Sequence, residues 1–183
     1  QICRHLHIPL QSGSNRILGL MNRRYSREYY RDLVLAVADK IPGVAIAADV
    51  MVGFPDEKEA DFIATRDLLA ELPVSSLHVF KYSVRPGTKA AMMGPAIEER
   101  VKNQRSEILL DLAAAKKHEF CQSMLGQNTE ALVQQQLDTG IYEGLTDNYL
   151  EIQFPAPEDL TGNLIRVKPQ KIEGGVMKGI MTA

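Results

Sequence analysis

Residues 44–52 read Val-Ala-Ile-Ala-Ala-Asp-Val-Met-Val, an apolar run broken only by Asp49. A half-buried strand would alternate apolar and polar residues, and an amphipathic helix would repeat its apolar positions every three to four. This run does neither. It predicts a parallel strand buried on both faces, and parallel strands need crossover connections, usually helical. The flanking chain supplies them. Residues 4–10 read as a strand leading into the polar turn Gln11-Ser12-Gly13-Ser14 and a short helix through Met21. Ser26 is placed as the N-cap of a helix to about Lys40, with Tyr30, Leu33, Val34 and Val37 on one stripe. Pro42 and Gly43 stop it.

Gly53-Phe54-Pro55-Asp56 then turns the chain into a predicted helix over 57–71. Residues 76–82 form a third strand, followed by the loop Ser83-Val84-Arg85-Pro86-Gly87-Thr88 and a long helix over 97–123. After Gly126 the texture changes. Segments 129–136, 142–145, 149–154, 163–167 and 176–181 are short, alternating and separated by Gly, Pro, Asn and Asp, the spacing of a small all-β barrel. The expected fold class is therefore α/β followed by all-β, with domains at 1–122 and 123–183. Three strands cannot close a (β/α) barrel, so the first domain reads as part of one whose other strands lie upstream. Its open strand edge leads one to expect either pairing with a second copy, a non-native dimer, or partial disorder near residues 1–12.

With 183 residues, 45% hydrophobic and 24% charged, the chain has material for one ordinary domain or two small ones. No apolar run approaches the length of a membrane span, and no basic-plus-apolar leader is present, so a cytoplasmic protein is expected. The chain starts at Gln1 inside a strand pattern, which reads as a piece of a longer protein. Only Cys3 and Cys121 are present; free thiols are favoured over a disulfide, and no metal site can be built from these two alone.

Chemistry-bearing residues gather where the three strands end. Asp49 is a carboxylate inside an apolar strand, costly unless satisfied by partners, and either a ligand group or a tie to a neighbouring loop. Gly53 opens the backbone to close approach at a helix start. Gln11 to Ser14, Asp49 to Gly53, and Lys81 to Arg85 would face one rim, which is where α/β barrels bind ligands. His5 and His7 share a strand face by the two-residue period. They could bind metal, but no third ligand is apparent, and packing or hydrogen bonding is the favoured use. Arg23 either belongs to a solvated pair with Arg24 or clamps a carboxylate. Met92-Met93 reads as packing.

These residues also form a pattern. His5-Leu6-His7-Ile8-Pro9-Leu10-Gln11-Ser12-Gly13-Ser14 with Met21-Asn22-Arg23-Arg24-Tyr25 resembles the fourth-strand segment of the radical-SAM methylthiotransferase family. Asp49-Val50-Met51-Val52-Gly53-Phe54-Pro55 resembles its fifth, and Phe80-Lys81-Tyr82-Ser83-Val84-Arg85-Pro86-Gly87-Thr88 its sixth. The tail resembles the TRAM domain, a small barrel considered an RNA-binding module. The resemblance thus implies the C-terminal half of a radical-SAM partial (β/α) barrel followed by a TRAM barrel. Leu77-His78-Val79-Phe80-Lys81-Tyr82-Ser83 and Glu143-Gly144-Leu145-Thr146-Asp147-Asn148-Tyr149 look most like the branch that adds a methylthio group to threonylcarbamoyladenosine beside the tRNA anticodon. Other branches act on isopentenyladenosine in tRNA or on an aspartate of a ribosomal protein.

The resemblance further implies S-adenosylmethionine and two 4Fe-4S clusters, whose cysteine ligands are absent from this chain. It implies tRNA and an electron donor such as a flavodoxin-type reductant as partners. By similarity, Gln11, Ser12, Arg23, Asp49, Gly53 and Phe80 would hold S-adenosylmethionine, and Arg85 would face the substrate nucleotide. No catalytic residue and no metal ligand is expected in this stretch, which alone should be inactive. One departure is Asp56-Glu57-Lys58, where the family usually reads Gly-Glu-Thr, so Lys58 replaces a helix-opening hydroxyl.

Charge tempers the RNA-binding reading. Residues 1–122 hold 17 Lys+Arg against 15 Asp+Glu, while residues 123–183 hold 4 against 8. Phosphate binding scales with neutralising cations, so the tail lacks a broad basic surface. Arg166, Lys168, Lys171 and Lys178 could still cluster, and loop recognition can rely on stacking and shape. Tyr142 and Tyr149 are candidates for stacking, although the barrel core is the favoured place for both. Two other classes stay open: an RNA-binding protein with a decayed barrel, and an ordinary α/β-barrel enzyme. The second would need a local acid–base or nucleophile–base set, and none is found.

Overall fold

A computed structural model describes residues 3–182. The chain divides into two compact units. One holds residues 6–42 and 46–116, the other the residues up to His5, 43–45 and 117 onward. The first carries an open parallel sheet in the order β1-β2-β3, built from β1 (His5–His7), β2 (Ala45–Val52) and β3 (Ser76–Lys81). Helices α1 (Asn15–Leu20) and α2 (Arg27–Lys40) connect β1 to β2, and α3 (Glu59–Glu71) connects β2 to β3. A 3-10 turn at Lys89–Met92, which nothing in the sequence pattern announces, precedes α4 (Glu99–Ser123). An α/β portion followed by a small closed barrel is the fold class expected from the sequence.

Strand β2 is buried as its composition demands, with one refinement. Ile46, Ala48, Val50 and Val52 on one face are at most 1% exposed, whereas Asp49 and Met51 on the other are only half-buried. The second face is therefore where polar chemistry can sit. Strand β1 is shorter than the predicted 4–10. Ile8 N–H still bonds to Ala47 O, but Pro9 has no N–H to give, and the N–H groups of Leu10 and Gln11 both turn to Asp49 O. Gln11 then takes φ +67°, a left-handed conformation that costs a non-glycine residue on the order of 1 kcal/mol.

The turn 11–14 fits against α3 because Gly13 has no side chain. A Cβ there would lie 2.6 Å from the Thr65 Cα, and the Gly13 N–H instead donates to Thr65 Oγ1 at 2.9 Å. Helix α3 starts at Glu59, two residues later than expected, because Glu57 is drawn inward. Lys58 takes the N-cap position without a hydroxyl; its backbone N–H donates to the Asp61 carboxylate at 2.9 Å.

The second unit is a closed barrel in the order β4-β5-β6-β8-β7, from β4 (Thr129–Asp138), β5 (Ile141–Thr146), β6 (Glu151–Pro155), β7 (Leu164–Glu173) and β8 (Val176–Met181). Closure leaves no free edge. Its core holds Ala131, Val133, Ile152, Phe154, Val167 and Met177. Tyr142 is in that core, stacked on Phe154, as predicted. Tyr149 is not: it is 55% exposed at φ +63°, and it stacks on His5 with ring centroids 4.3 Å apart. The tight turn after β5 rotates it out of the alternation from which a core position was expected. Within this unit Arg4 forks the Asp147 carboxylate at 2.7 and 2.9 Å, and Asn148 donates to Gly43 O.

The first unit contains one buried ion pair. Glu57 Oε2 accepts from Arg105 Nη1 at 2.6 Å and from the Gly53 N–H at 2.7 Å, with both side chains at most 7% exposed. Burial pushes the Glu57 carboxyl up, against the pull of the Gly53 N–H and the Arg105 charge. A carboxyl raised in the fold stabilises it below the unfolded value and loses that contribution as pH climbs through the folded one. Arg105→Met removes the cation and strands the carboxylate. We expect a loss of about 3–5 kcal/mol near neutral pH, shrinking as pH falls and Glu57 protonates, read from urea unfolding across pH. A penalty independent of pH would show that Glu57 is not what the arginine holds.

Candidate functional site

The parallel register sets which side chains meet at the strand ends. Met51 pairs with Phe80 and Asp49 with His78 across β2 and β3, while Gln11 bridges to Val50. Beyond these positions the first unit opens into a cavity of about 600 Å³, lined by Gln11, Arg23, Met51, Phe54, Phe80, Tyr82, Arg85 and Lys89 among others. Its wall includes the cations Arg23, Lys81, Arg85 and Lys89 and no carboxylate. Lys81 is partly neutralised by Glu99 at 3.3 Å and bonds to Asn103. Arg23, Arg85 and Lys89 have no ion pair among the described residues. Unpaired cations around a concave apolar floor favour an anionic ligand carrying a flat or apolar part.

Four of the residues singled out from sequence thus line one cavity: Gln11, Arg23, Phe80 and Arg85. Phe80 is 51% exposed, an aromatic face available for stacking. The other three lie elsewhere. Ser12 is fully buried; its hydroxyl lies 3.3 Å from Thr65 Oγ1 and accepts from the Ser14 N–H. Gly53, at φ +75°, is covered by the aliphatic stem of Lys102. Asp49 Oδ1 is met by His7 Nε2 at 2.7 Å and by His78 Nδ1 at 3.1 Å. His78 was not singled out from the sequence; it stands opposite Asp49 in register, a signal that needs the strand pairing to be read.

Lys89 and Met93 were missed as lining residues, whereas Tyr82 falls within the 81–85 stretch expected at the rim. Met93 lines the cavity, but Met92, expected to pack, is 81% exposed, because the 3-10 turn points successive side chains apart. Tyr82 packs edge-on against Phe54 at 5.4 Å, and its buried hydroxyl lacks a hydrogen-bond partner among the described residues. Such a group in a cavity wall is one that a polar ligand could satisfy.

The turn bearing Gln11 is anchored by charge. Asp61 accepts from Ser14 Oγ at 2.6 Å, from Lys58 N–H and from Arg16, and Arg16 also reaches Asp56 at 2.6 Å. Burial alone would raise the Asp61 carboxyl, but the Arg16, Ser14 and Lys58 hydrogen bonds outweigh it and hold it below its ordinary value.

No protein-family model matches the chain. Among curated proteins it is 38% identical over 183 residues to a tRNA-2-methylthio-N(6)-dimethylallyladenosine synthase of Moorella thermoacetica, covering 99% of this chain and 41% of that protein. It is 37% identical over 172 residues to the threonylcarbamoyladenosine tRNA methylthiotransferase MtaB of Bacillus subtilis, covering 92% and 38%. It is 41% identical over 167 residues to the MtaB of Aquifex aeolicus, covering 91% and 39%. The chain therefore spans about two fifths of the length of these relatives.

A depressed carboxyl stabilises the fold above its unfolded value and loses that contribution as pH falls through the folded one. Asp61→Asn is expected to cost about 1–3 kcal/mol near neutral pH. The gap to wild type should close in acid, as pH drops below the ordinary 3.8. Urea midpoints measured down to strongly acid pH check this; a gap that stays constant would place the network outside the stability of the turn.

Proposed function

Because the chain belongs to the radical-SAM methylthiotransferases over the stretch it spans, we propose that its cavity holds S-adenosylmethionine and the target nucleoside of a tRNA methylthiotransferase. The residues present fit the organic part of that cofactor: a guanidinium at Arg23 for its carboxylate, an aromatic face at Phe80 for its adenine, and Gln11 and the unpartnered Tyr82 hydroxyl for its polar edge. They do not fit a 4Fe-4S cluster, which takes three or four thiolates, since the chain has only two cysteines, one exposed and one buried. When bound beside such a cluster, the cofactor supplies the radical that activates the substrate. What this stretch does is bind, orient and shield.

The target we propose is N6-threonylcarbamoyladenosine, which carries a carboxylate, rather than the uncharged dimethylallyl nucleoside. The observation that carries this is the ring of cations without a carboxylate, of which Arg85 and Lys89 remain for the substrate once Arg23 is assigned to the cofactor. An apolar prenyl group would leave both desolvated without a partner, which costs affinity. Asp49, Ser12 and Gly53 would act from behind: Ser12 and Gly53 keep the turns around the cavity in place, and Asp49 engages the two histidines. In the whole protein, the partners would be tRNA and a flavodoxin-type electron donor, in the cytoplasm.

Nucleosides of tRNA from cells lacking the gene test this by mass spectrometry. We expect the methylthio form of threonylcarbamoyladenosine to disappear while its dimethylallyl counterpart persists. Wild-type gene should restore it, and Arg85→Glu with Lys89→Glu should restore less than about a tenth, a loss of at least ~1.4 kcal/mol in transition-state binding. Loss of the dimethylallyl form instead would overturn the substrate assignment and leave the family standing.

A further inference from the structure

One cluster of ligating side chains stands apart from the cavity wall. His7 on β1, Asp49 on β2 and His78 on β3 each come from a different strand, and their donor atoms all lie within 4.8 Å of one another. We propose that this trio is a binding site for one divalent transition-metal ion of the zinc class.

The backbone builds the cluster. Asp49 and His78 are register partners on adjacent parallel strands, so their side chains leave the sheet on the same face. His7 approaches from the other side of β2, and the two rings meet edge to face at 5.2 Å. Both imidazoles converge on a single oxygen, Asp49 Oδ1, at 2.7 and 3.1 Å. Ligands of one tetrahedral ion at about 2.0–2.1 Å stand roughly 3.3 Å apart. The two separations from Asp49 Oδ1 therefore need to open by only a fraction of an ångström, and the two ring nitrogens already lie within 4.8 Å of each other. The carboxylate is 19% exposed while the imidazoles are 44% and 53% exposed, so the rings are the part of the trio most open to an ion arriving from solvent.

The donor set decides the kind of ion. Two imidazoles and one carboxylate on one side select zinc, cobalt, nickel, copper or ferrous iron over calcium and magnesium, which want oxygen. Three protein ligands leave a position for water or a ligand atom. The competing account is a hydrogen-bonded trio, with each imidazole donating to the carboxylate. In that case the same three residues bind nothing. The site uses neither the cations nor the aromatic groups of the cavity, so it stands or falls independently of the proposed function.

Cobalt(II) reports directly on coordination. Titrated into the 183-residue chain near neutral pH, it should give visible ligand-field bands saturating at one ion per chain and displaced by equimolar zinc. His7→Gln, Asp49→Asn and His78→Gln should each weaken binding by more than the roughly 10–100-fold that loss of an outer-shell partner costs. His5→Gln and His118→Gln should leave it unchanged. Proton NMR of the wild-type chain gives a readout that needs no variant to fold: the ring signals of His7 and His78 should shift or broaden before those of His5 and His118. Absence of the bands would overturn the proposal. So would bands that survive in Asp49→Asn, or ring perturbation that starts at His5 or His118.

Discussion

The buried Glu57 carboxylate holds the end of the central strand in place. It accepts the Gly53 N–H just past β2 and the Arg105 guanidinium from α4, so one charge ties strand, turn and helix together. Removing an ion pair from water is expensive, and a pair this enclosed returns little net stability. What it gives is a fixed geometry. With the turn pinned, Phe54 packs on Tyr82 and β3 runs on into the loop that carries Arg85. The turn that carries Phe54 is thus held through Glu57, and the Gln11 turn through Asp61.

Much of this was legible in the residues. The uninterrupted apolarity of 44–52 announces a parallel strand, and the alternation after Gly126 announces a barrel. Gln11, Phe80 and Arg85 end in one cavity because strand ends in parallel sheets share a side, and Arg23 joins them from the link between α1 and α2. The misses have a common cause, dependence on pairing or on a local turn. His78 meets Asp49 only through the β2–β3 register, which no single strand reveals. Met92 and Tyr149 look like core by composition and are turned outward by a 3-10 segment and a left-handed residue. Asp49, expected at the rim as a ligand group, instead meets two histidines, and it is not among the residues that line the cavity.

Charge separates the two units. The β-barrel third of the sequence is acidic, whereas four cations line the cavity of the first unit. The proposed recognition of an anionic nucleoside would need only a few well-placed charges in a concave, partly apolar setting, where each is worth more than on an open surface. The exposed Tyr149, stacked on His5, is the barrel's own aromatic face.

The central claim is that this cavity prefers a carboxylate-bearing nucleoside. NMR titration of the chain with N6-threonylcarbamoyladenosine and, separately, N6-dimethylallyladenosine tests it most directly. The account predicts that the carboxylate nucleoside binds more tightly, weakens with added salt, and shifts amides around Gln11, Phe80, Lys81 and Arg85. Preference for the dimethylallyl nucleoside, or shifts confined to the β-barrel, would contradict it.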